Sequence, residues 1–422
     1  MKSNYSRPAL LASAALLALA APLTSARAQA SGDYIGTWTA SPQPVWDADF
    51  PIPTGLPRTL WNQTLRQIAH ISLGGKKVRI VLSNEYGTRP LTIGAAHIAL
   101  AGAGSAITAG SDHALTFGGA SSVTIPPGAP AISDPIDFSV PALSNLAVSL
   151  FVQGANAADT MHWDGGQTAY IGAGDQTAAA EVKADATNKS RIYLKEIQVD
   201  APADAQAIVL FGDSITDGFG STPDTNQRWP DILAARLIKS GAAVSVLNEG
   251  ISGAKILSDR MGTNALARFD RDVLGHARAR TAVLMMGIND FGWPASALAP
   301  GDTVPSAEAV IAGYHQLIVR AHEHNLRIVG ATLTPFKDTF KGHPFEGYYT
   351  VDKDNRRQAV NKWIRSSGEF DGVIDFDALT KDPADPLHIQ PALDVGDHLH
   401  PNDAGYKLMG EAVEIGVLLG KK

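Results

Sequence analysis

Four short polar clusters in the C-terminal half of the chain carry the residue types that acyl transfer requires. They read GDSITDG from Gly212, NEGISGAK from Asn248, GINDFG from Gly287 and DVGDHLHPND from Asp394. An acyl-transfer site needs a nucleophile, a base beside it, a group that orients the base, and hydrogen-bond donors for the oxyanion. The clusters together supply serine, glycine, asparagine, and a histidine with an aspartate three residues before it. We therefore treat them as one candidate site for nucleophilic catalysis.

The chemistry suggests a role for each of five residues. Ser214 is the candidate nucleophile, because it lies at a predicted strand-to-helix turn where its own backbone N–H is a free first-turn donor. His400 is the candidate base, since an imidazole titrates near working pH. Asp397 precedes His400 by three residues, so a turn can bring its carboxylate to the imidazole. The N–H of Gly253 and the side-chain amide of Asn289, with the N–H of Ser214, are the candidate oxyanion donors.

From residue 207 onward, predicted strands alternate with predicted helices. The strands are unbroken apolar runs such as AIVLFG, AVSVLNEG and TAVLMMG, and the closing helix is predicted over PNDAGYKLMGEAVEIGVLL. This alternation is typical of a parallel sheet covered on both faces, and right-handed crossovers make it a doubly wound, three-layer α/β domain. Sites in such sheets form beyond the carboxyl ends of the strands. Three clusters follow predicted strands and the fourth precedes the closing helix, so all four are predicted on one rim.

The four clusters, in this order, resemble the GDSL or SGNH hydrolases over about residues 207–419. The four marker residues of that family, Ser, Gly, Asn and His, map in order onto Ser214, Gly253, Asn289 and His400. Asp397 matches the acid of the family's DxxH motif, whereas Ile215 stands where the family tag usually has leucine. The resemblance implies a flavodoxin-like three-layer fold and ester hydrolysis without a metal.

Residues 33–200 have a different pattern, with short β-like runs broken by glycine and proline. Many short strands, frequent turn residues and no long amphipathic helix predict a β-sandwich or jelly roll. The segment DAPADAQ from Asp200 predicts a linker to a second domain, residues 207–422. The stretches GTWTASPQP and TLRQIAHISLGGKKVRIVLSNEYG resemble the front region of exported bacterial SGNH proteins similar to aryl-esterases and to acetylesterases associated with xylan degradation.

Composition and the N-terminus bound the class of protein and its location. The 422-residue chain has a formal net charge of −7, which argues against nucleic acid and anionic membrane surfaces as partners. It contains no cysteine, so disulfides and thiolate catalysis are excluded. A basic segment, a short apolar run and small residues predict a Sec-type signal peptide over residues 1–28. We therefore expect export to the periplasm or the medium, without stable membrane insertion.

Plainer roles stay open for several of these residues. Ser214 can serve only as a helix N-cap, and Gly253 only as a turn glycine. Asn289 can form an Asx turn. Asp213 and Asp217 are expected to cap and fix the serine turn rather than to react.

A metal site is the rival chemistry for the last cluster. Asp397, His398 and His400, with Asp213 or Asp217, offer carboxylate and imidazole ligands for a divalent ion. The other clusters offer serine, glycine and asparagine instead, which are poor ligands for such an ion. We therefore expect neither a metal nor another cofactor, and we expect His398 to be a structural or substrate-side neighbour.

Taken together, the sequence predicts an exported serine esterase that hydrolyses carboxylic esters through Ser214, His400 and Asp397. The expected partner is a small-molecule or polysaccharide ester, with short acyl chains or O-acetyl groups on carbohydrate favoured. Lysophospholipids and aryl esters are alternative substrates, and a non-catalytic carbohydrate-binding protein is the alternative function. The sequence leaves open the oligomeric state and whether the β-rich region touches the substrate.

Overall fold

The computed structural model describes Met1, residues 34–47 and residues 50–420. The described residues from Tyr34 onward belong to one compact unit. The predicted signal peptide, residues 1–28, lies outside the described residues apart from Met1. Within these ranges, none of the helices has the length and apolar character needed to span a bilayer.

The N-terminal part is built from strands in antiparallel sheets. Its strands are β1 (Tyr34–Thr39), β2 (Gln43–Pro44), β3 (Thr59–His70), β4 (Gly75–Ser83), β5 (Leu91–Leu100), β6 (His113–Ala114), β7 (Val123–Ile125), β8 (Pro130–Ile132), β9 (Ile136–Val140), β10 (Asn145–Ala157), β11 (Thr160–His162), β12 (Ala169–Ala173), β13 (Ala186–Asn188), β14 (Arg191–Ile192) and β15 (Leu194–Asp200). One sheet runs β1-β15-β4-β8 with β9 on β4, and another runs β13-β12-β3-β10-β5-β6 with β7 on β5. A small sheet joins β14, β11 and β2. The prediction of a β-rich region is confirmed, whereas the jelly-roll topology stays a prediction.

The C-terminal part contains a parallel sheet. Its strands are β16 (Gln206–Gly212), β17 (Val244–Gly250), β18 (Ala279–Met285), β19 (Arg327–Ala331) and β20 (Gly372–Ile374). They pair in parallel in the order β17-β16-β18-β19-β20. The order has the second strand outside the first, as in flavodoxin-like sheets. Residues 207–212 of β16 are all buried, because helices cover both faces of this strand's apolar run. The α/β prediction for this part is confirmed.

Helices alternate with these strands. They are α1 (Ser214–Asp217), α2 (Trp229–Lys239), α3 (Ala265–Phe269), α4 (Ile288–Gly292), α5 (Ala307–Glu323), α6 (Val351–Ser366), α7 (Phe376–Thr380), α8 (Asp403–Ala412) and α9 (Ile415–Leu419), and a π-helical turn (Asp270–Leu274) follows α3. Side-chain caps mark several starts. Ser306, Thr350 and Asn402 each accept a hydrogen bond from the backbone N–H three residues later.

The closing helix predicted as one element is two helices, so that prediction is wrong at its middle. Val413 leaves the helical region at φ −63° and ψ 118°, and its side chain is fully buried in the core. The guanidinium of Arg236 in α2 donates to the carbonyl oxygens of Gly410 and Val413, each at 2.7 Å. These bonds satisfy carbonyls that would otherwise need a further turn of helix.

The β-rich part covers the outer edge of the parallel sheet at β17. Ser72 Oγ accepts a hydrogen bond from the Val246 N–H at 3.0 Å, and Thr39 Oγ1 donates to the Asn248 carbonyl at 3.0 Å. One hydrophobic core contains side chains from both parts, among them Ile35 and Leu247. Covering an edge strand removes a surface that would otherwise pair with other chains. The division into domains at residues 201–206 stays a prediction.

Candidate active site

The five predicted site residues lie at the carboxyl-end rim of the parallel sheet. Ser214 opens α1 directly after β16, Gly253 lies in the loop after β17, and Asn289 lies in α4 after β18. Asp397 and His400 lie in the loop before α8. The structure brings all five around one cavity.

The turn that carries Ser214 is fixed by its neighbours. Asp213 is the N-cap of α1, and its side chain accepts from the Ile215 N–H at 3.1 Å. Gly218 ends this short helix in the left-handed region at φ 105°, and its N–H donates to the Ser214 carbonyl at 2.8 Å. A Cβ on Gly218 would lie 2.2 Å from Cγ of Arg228, so the turn needs glycine here. The hydroxyl of Ser214 is thereby held at the N-terminal end of the helix.

Ser214, His400 and Asp397 form a continuous hydrogen-bonded chain. Ser214 Oγ lies 2.8 Å from His400 Nε2, and His400 Nδ1 lies 2.6 Å from Asp397 Oδ2. A carboxylate only accepts hydrogen bonds, so Nδ1 of His400 carries a proton and donates it. Nε2 of the neutral imidazole is then free to accept the hydroxyl proton of Ser214. The ring of Phe219 packs against the imidazole, with centroids 4.6 Å apart.

Asp397 is held as a carboxylate by the loop around it. Its Oδ1 accepts from the backbone N–H groups of Leu399 and His400, both at 2.9 Å. Burial alone would raise the pKa of Asp397, but the charge of His400 and these hydrogen bonds lower it to about 2. Asp397 therefore stays ionised at neutral pH and can stabilise an imidazolium on His400.

Two backbone N–H groups at the cavity are available as donors. Among the described residues, the N–H groups of Ser214 and Gly253 donate to no protein acceptor. Gly253 adopts φ 75°, and a Cβ there would lie 2.5 Å from Sδ of Met261. Its backbone conformation and its close packing therefore both favour glycine.

Hydrogen bonds to its side-chain oxygen fix the orientation of the Asn289 amide. Its Oδ1 accepts from Trp293 Nε1 at 2.8 Å and from the Tyr348 hydroxyl at 2.7 Å, which fixes the amide orientation. Its Nδ2 donates one hydrogen to the Ala254 carbonyl at 3.0 Å. An amide nitrogen has two hydrogens, so one remains for a ligand in the cavity.

A carboxylate and a histidine that the sequence did not assign to the site hold the loop before Gly253. Asp217 Oδ2 accepts from the Ser252 N–H at 3.0 Å and from the Ser252 hydroxyl at 2.8 Å. Its Oδ1 lies 3.0 Å from His162 Nε2, and His162 belongs to β11 of the β-rich part. Asp217 was expected to fix the serine turn, and it also fixes the neighbouring loop. His162 carries no motif in the sequence that could have indicated this contact.

Two further carboxyl groups lie buried beneath the site. Asp290 accepts from the N–H groups of Ile256 and Leu257 at 2.8 and 3.0 Å, which fixes the chain beyond Gly253. Burial raises the pKa of Asp213 to about 7 and that of Asp290 to about 6. Oδ2 of Asp213 is buried and has no hydrogen-bond partner among the described residues. Both carboxyls support the backbone of the site, as the sequence predicted for Asp213.

The cavity beside Ser214 measures about 380 Å³ and has an almost entirely apolar wall. The α/β part contributes the apolar side chains Phe219, Met261, Trp293, Leu298, Phe340, Phe345, Tyr348 and Leu399, and the β-rich part contributes Pro51, Ile52, Pro53 and Trp163. The ring of Phe50 stacks on Trp293 with centroids 5.9 Å apart, which ties the 50–53 segment to the site. Sequence reasoning missed this wall, because it depends on how the two parts pack.

The residues considered for a metal site are paired in other ways. His398 Nδ1 lies 2.7 Å from Asp394 Oδ2, so this imidazole is a structural neighbour in the loop. Asp397 and His400 bind each other, and Asp217 is engaged by Ser252 and by a histidine of the β-rich part. Within the described ranges, no group of three or more histidine or acidic side chains is arranged to hold a metal ion.

The C-terminal part of the chain matches a known family. Residues 208–413 match the model described as GDSL-like Lipase/Acylhydrolase, and this range contains all five predicted site residues. No curated protein matches the chain significantly.

Several solved structures are similar to about half of this chain. A carbohydrate acetylesterase family member from Sinorhizobium meliloti is 18% identical, with 51% of this chain and 99% of that chain covered and a TM-score of 0.38. The aryl esterase of M. smegmatis is 20% identical, with 49% and 96% covered and a TM-score of 0.39. A GDSL-like lipase from Bacteroides thetaiotaomicron is 15% identical, with 51% and 89% covered and a TM-score of 0.37.

Proposed function

Because residues 208–413 belong to the GDSL-like lipase/acylhydrolase family and the chain is a carboxylic ester hydrolase, we propose that it works as a serine esterase through a Ser214 acyl-enzyme. The observation that carries this proposal is the unbroken chain of hydrogen bonds from Ser214 Oγ through His400 to Asp397. A hydroxyl bonded to an imidazole that is itself oriented by a carboxylate is the arrangement that activates a serine.

In the acylation half, His400 Nε2 takes the proton as Ser214 Oγ attacks the ester carbonyl carbon. The imidazolium that forms is stabilised by the ionised Asp397, 2.6 Å from Nδ1. His400 then returns the proton to the departing alcohol oxygen, and the ester C–O bond breaks. The acyl group is left on Ser214.

The tetrahedral intermediate needs donors aimed at its oxyanion. The free N–H groups of Ser214 and Gly253 and the second Nδ2 hydrogen of Asn289 supply three. Removing one such donor costs about 3–4 kcal/mol of transition-state stabilisation in other serine hydrolases. In the deacylation half, His400 Nε2 takes a proton from water as the water oxygen attacks the acyl carbon. His400 then returns the proton to Ser214 Oγ as the Oγ–C bond breaks and the carboxylic acid leaves.

We further propose that the acyl half of the substrate is short. The cavity of about 380 Å³ is at the small end of ligand pockets, which span about 300–1,000 Å³. Its apolar wall suits an acyl or aryl group.

The protein has a second cavity that could hold the alcohol half of the substrate. This cavity measures about 600 Å³ and shares Pro53, Trp163 and Phe219 with the first. Its lining includes the polar residues Thr187, Asn188, Lys189, Ser190 and Ser221. Polar side chains beside the rings of Trp163 and Phe219 support a hydroxyl-rich alcohol, so we propose O-acylated carbohydrate as the substrate class.

A second candidate is hydrolysis of aryl esters. The aromatic rings of Trp163, Phe219 and Trp293 line the first cavity, and such rings pack well against an aromatic alcohol. Export of the enzyme is also part of the proposal, supported by the signal-peptide pattern over residues 1–28.

The test is hydrolysis of a defined panel by wild type and by Ser214→Ala. The panel contains p-nitrophenyl acetate, phenyl acetate, acetylated xylan and a lysophospholipid. We expect turnover of the acetyl esters, and loss of about 10⁴- to 10⁶-fold in kcat for Ser214→Ala. Ser240→Ala, which removes only a hydrogen bond to the Leu237 carbonyl at the end of α2, is the control and should retain full activity.

The outcomes separate the candidates. Unchanged activity in Ser214→Ala refutes the nucleophile, and binding of xylan without turnover indicates a non-catalytic carbohydrate-binding protein. Preference for phenyl acetate over acetylated xylan selects the aryl ester candidate. Preference for the lysophospholipid contradicts the short-acyl proposal.

A further inference from the structure

His162 joins the β-rich part to the serine turn. It ends β11, and its side chain is buried, with 5% of the residue exposed. Nε2 lies 3.0 Å from Asp217 Oδ1 in α1, and Nδ1 lies 3.1 Å from the Ser41 carbonyl oxygen. His162 thus connects the β-rich part to α1.

Both partners of His162 are acceptors and nothing else. A carbonyl oxygen and a carboxylate cannot donate, so each of the two ring nitrogens must carry a hydrogen. Only the imidazolium form has a hydrogen on both nitrogens. The contacts therefore require His162 to be a buried cation, paired with the carboxylate of Asp217.

Two carboxyl groups and two guanidinium groups surround His162, from Asp217 of α1, Asp164 on the adjacent loop, Arg191 of β14 and Arg228 at the N-cap of α2. Burial raises the pKa of Asp164. Burial lowers the pKa of His162, but Asp217, the hydrogen bonds and Asp164 together raise it above its ordinary value. The direction agrees with the protonation that the geometry requires.

Ser41, whose carbonyl oxygen contacts His162, is itself held by hydrogen bonds. The Ser41 hydroxyl donates to Asp272 Oδ2 at 2.5 Å, and Arg268 binds the same carboxylate at 2.9 Å. Arg268 also donates to the Gly212 carbonyl at 3.1 Å, at the end of the strand that precedes Ser214. The carbonyl that His162 binds is therefore part of a buried, fixed network.

The other partner of His162, Asp217, binds the residue next to a candidate oxyanion donor. Oδ2 of Asp217 accepts both hydrogen bonds of Ser252, the residue before Gly253. With Oδ1 fixed by His162, the carboxylate plane cannot rotate, and the peptide that carries the Gly253 N–H is held in place. We propose that His162 is a positioning residue for the oxyanion hole, set from the β-rich part and dependent on its imidazolium form; the proposal rests on the esterase activity proposed above.

A positioning role for His162 predicts specific effects on kcat and KM. The oxyanion exists only in the transition state and the tetrahedral intermediate, so a misplaced Gly253 N–H lowers kcat and leaves KM nearly unchanged. Loss of the His162 proton at high pH leaves one of its two acceptors unpaired. The wild-type enzyme should therefore show a basic limb in the pH profile of kcat.

The experiment compares His162→Ala, His162→Gln and a matched control with p-nitrophenyl acetate over a range of pH. Glutamine keeps one N–H donor for Asp217 but does not titrate. The control is His276→Gln, since His276 is also buried and also joins the two parts, lying 2.8 Å from Glu249 and 3.7 Å from Glu196. Among the described residues, its hydrogen-bond and ion-pair partners are Glu249 and Glu196, not Asp217 or Ser252.

We expect kcat of His162→Ala to fall about 10- to 100-fold, a part of the effect of deleting an oxyanion donor, with KM within about 3-fold. The kcat of His162→Gln should be higher than that of His162→Ala, and its pH profile should lack the basic limb. His276→Gln should keep the wild-type kcat and the basic limb of the profile. Circular dichroism and the melting temperature show whether each variant is folded at the assay temperature.

Three results would overturn the proposal. The first is a kcat of His162→Gln at the wild-type level with an unchanged basic limb. The second is an equal loss of kcat in His276→Gln, which would indicate a general effect of destabilising the contact between the β-rich part and the parallel sheet. The third, available even if His162→Ala does not fold, is a wild-type kcat that stays flat throughout the alkaline range in which the fold persists. If Ser214→Ala retains activity, the proposed function itself fails, which is a separate outcome.

Discussion

Replacing Asp397 with asparagine should prevent His400 from acting as a base, although His400 itself is still present. In the wild type, Oδ1 of Asp397 accepts the N–H groups of Leu399 and His400, and Oδ2 accepts His400 Nδ1–H. The amide oxygen of asparagine must stay with the two backbone N–H groups, because an NH₂ group there would oppose two donors. The amide nitrogen then faces His400 Nδ1 and donates to it. His400 is forced into the tautomer with its hydrogen on Nε2.

The magnitude follows from what that tautomer does to Ser214. Nε2 lies 2.8 Å from Ser214 Oγ, and once protonated it donates to the hydroxyl instead of accepting its proton. The same substitution in the trypsin-type triad lowers kcat by about 10⁴. At about 1.36 kcal/mol per tenfold change, this corresponds to about 5 kcal/mol of barrier. The loss should be smaller at high pH, where hydroxide can assist removal of the serine proton.

The chain offers a closely matched control for this prediction in the same loop. Asp394 binds the N–H and Nδ1 of His398 at 3.1 and 2.7 Å, much as Asp397 binds His400. Asp394→Asn should therefore disturb the loop similarly while leaving kcat within about 3-fold, as for a substitution outside the reacting groups. Initial rates with p-nitrophenyl acetate at several pH values measure both variants. A loss below about 10-fold in Asp397→Asn, or an equal loss in Asp394→Asn, would refute the tautomer argument.

Three further predictions concern the donors and the buried carboxyl beneath them. Asn289→Ala should lower kcat by about 10²- to 10³-fold with little change in KM, as steady-state kinetics would show; a changed KM alone would contradict the oxyanion role. Gly253→Ala should lower both kcat and the melting temperature, because φ is 75° and the new Cβ would lie 2.5 Å from Met261 Sδ; a wild-type melting temperature would contradict the packing argument. Burial raises the pKa of Asp213 to about 7, so the folded state binds its proton more tightly than the unfolded state. The contribution of Asp213 to stability should then fall as the pH rises from about 4 through 7. Asp213→Asn should remove that contribution and leave the like-signed contribution of Asp290, as urea unfolding followed by circular dichroism at several pH values would show; an unchanged pH dependence of the unfolding free energy would contradict the argument.

The site residues on the parallel sheet could be predicted because their positions depend on local order along the chain. Ser214, Gly253 and Asn289 each follow a buried apolar strand, and parallel strands end on a common rim. Asp397 could be paired with His400 because it precedes His400 by three positions. Only the family resemblance, and no local pattern, distinguished Gly253 from an ordinary turn glycine.

The remaining parts of the site depend on contacts between distant segments. His162 is 55 residues from Asp217, and Tyr348 is 59 residues from Asn289, whose amide it orients. Nothing in the residues flanking His162 or Tyr348 indicates these partners, because no periodicity or motif connects them. The break before α9 was missed for a related reason, since it is stabilised by Arg236, which lies 177 residues before Val413.

The β-rich part is therefore more than a neighbour of the catalytic sheet. It supplies one wall of the cavity through Pro51, Ile52 and Trp163, and it places a charged side chain beside the serine turn. A buried cation is costly unless it is paired, so His162 is stable in this position only while Asp217 is ionised and in contact. The carboxylate likewise needs His162, because Ser252 alone leaves one of its oxygens unpaired. Each part of the molecule thus satisfies a charge of the other, and this contact helps to hold Ser252 in the loop that carries Gly253.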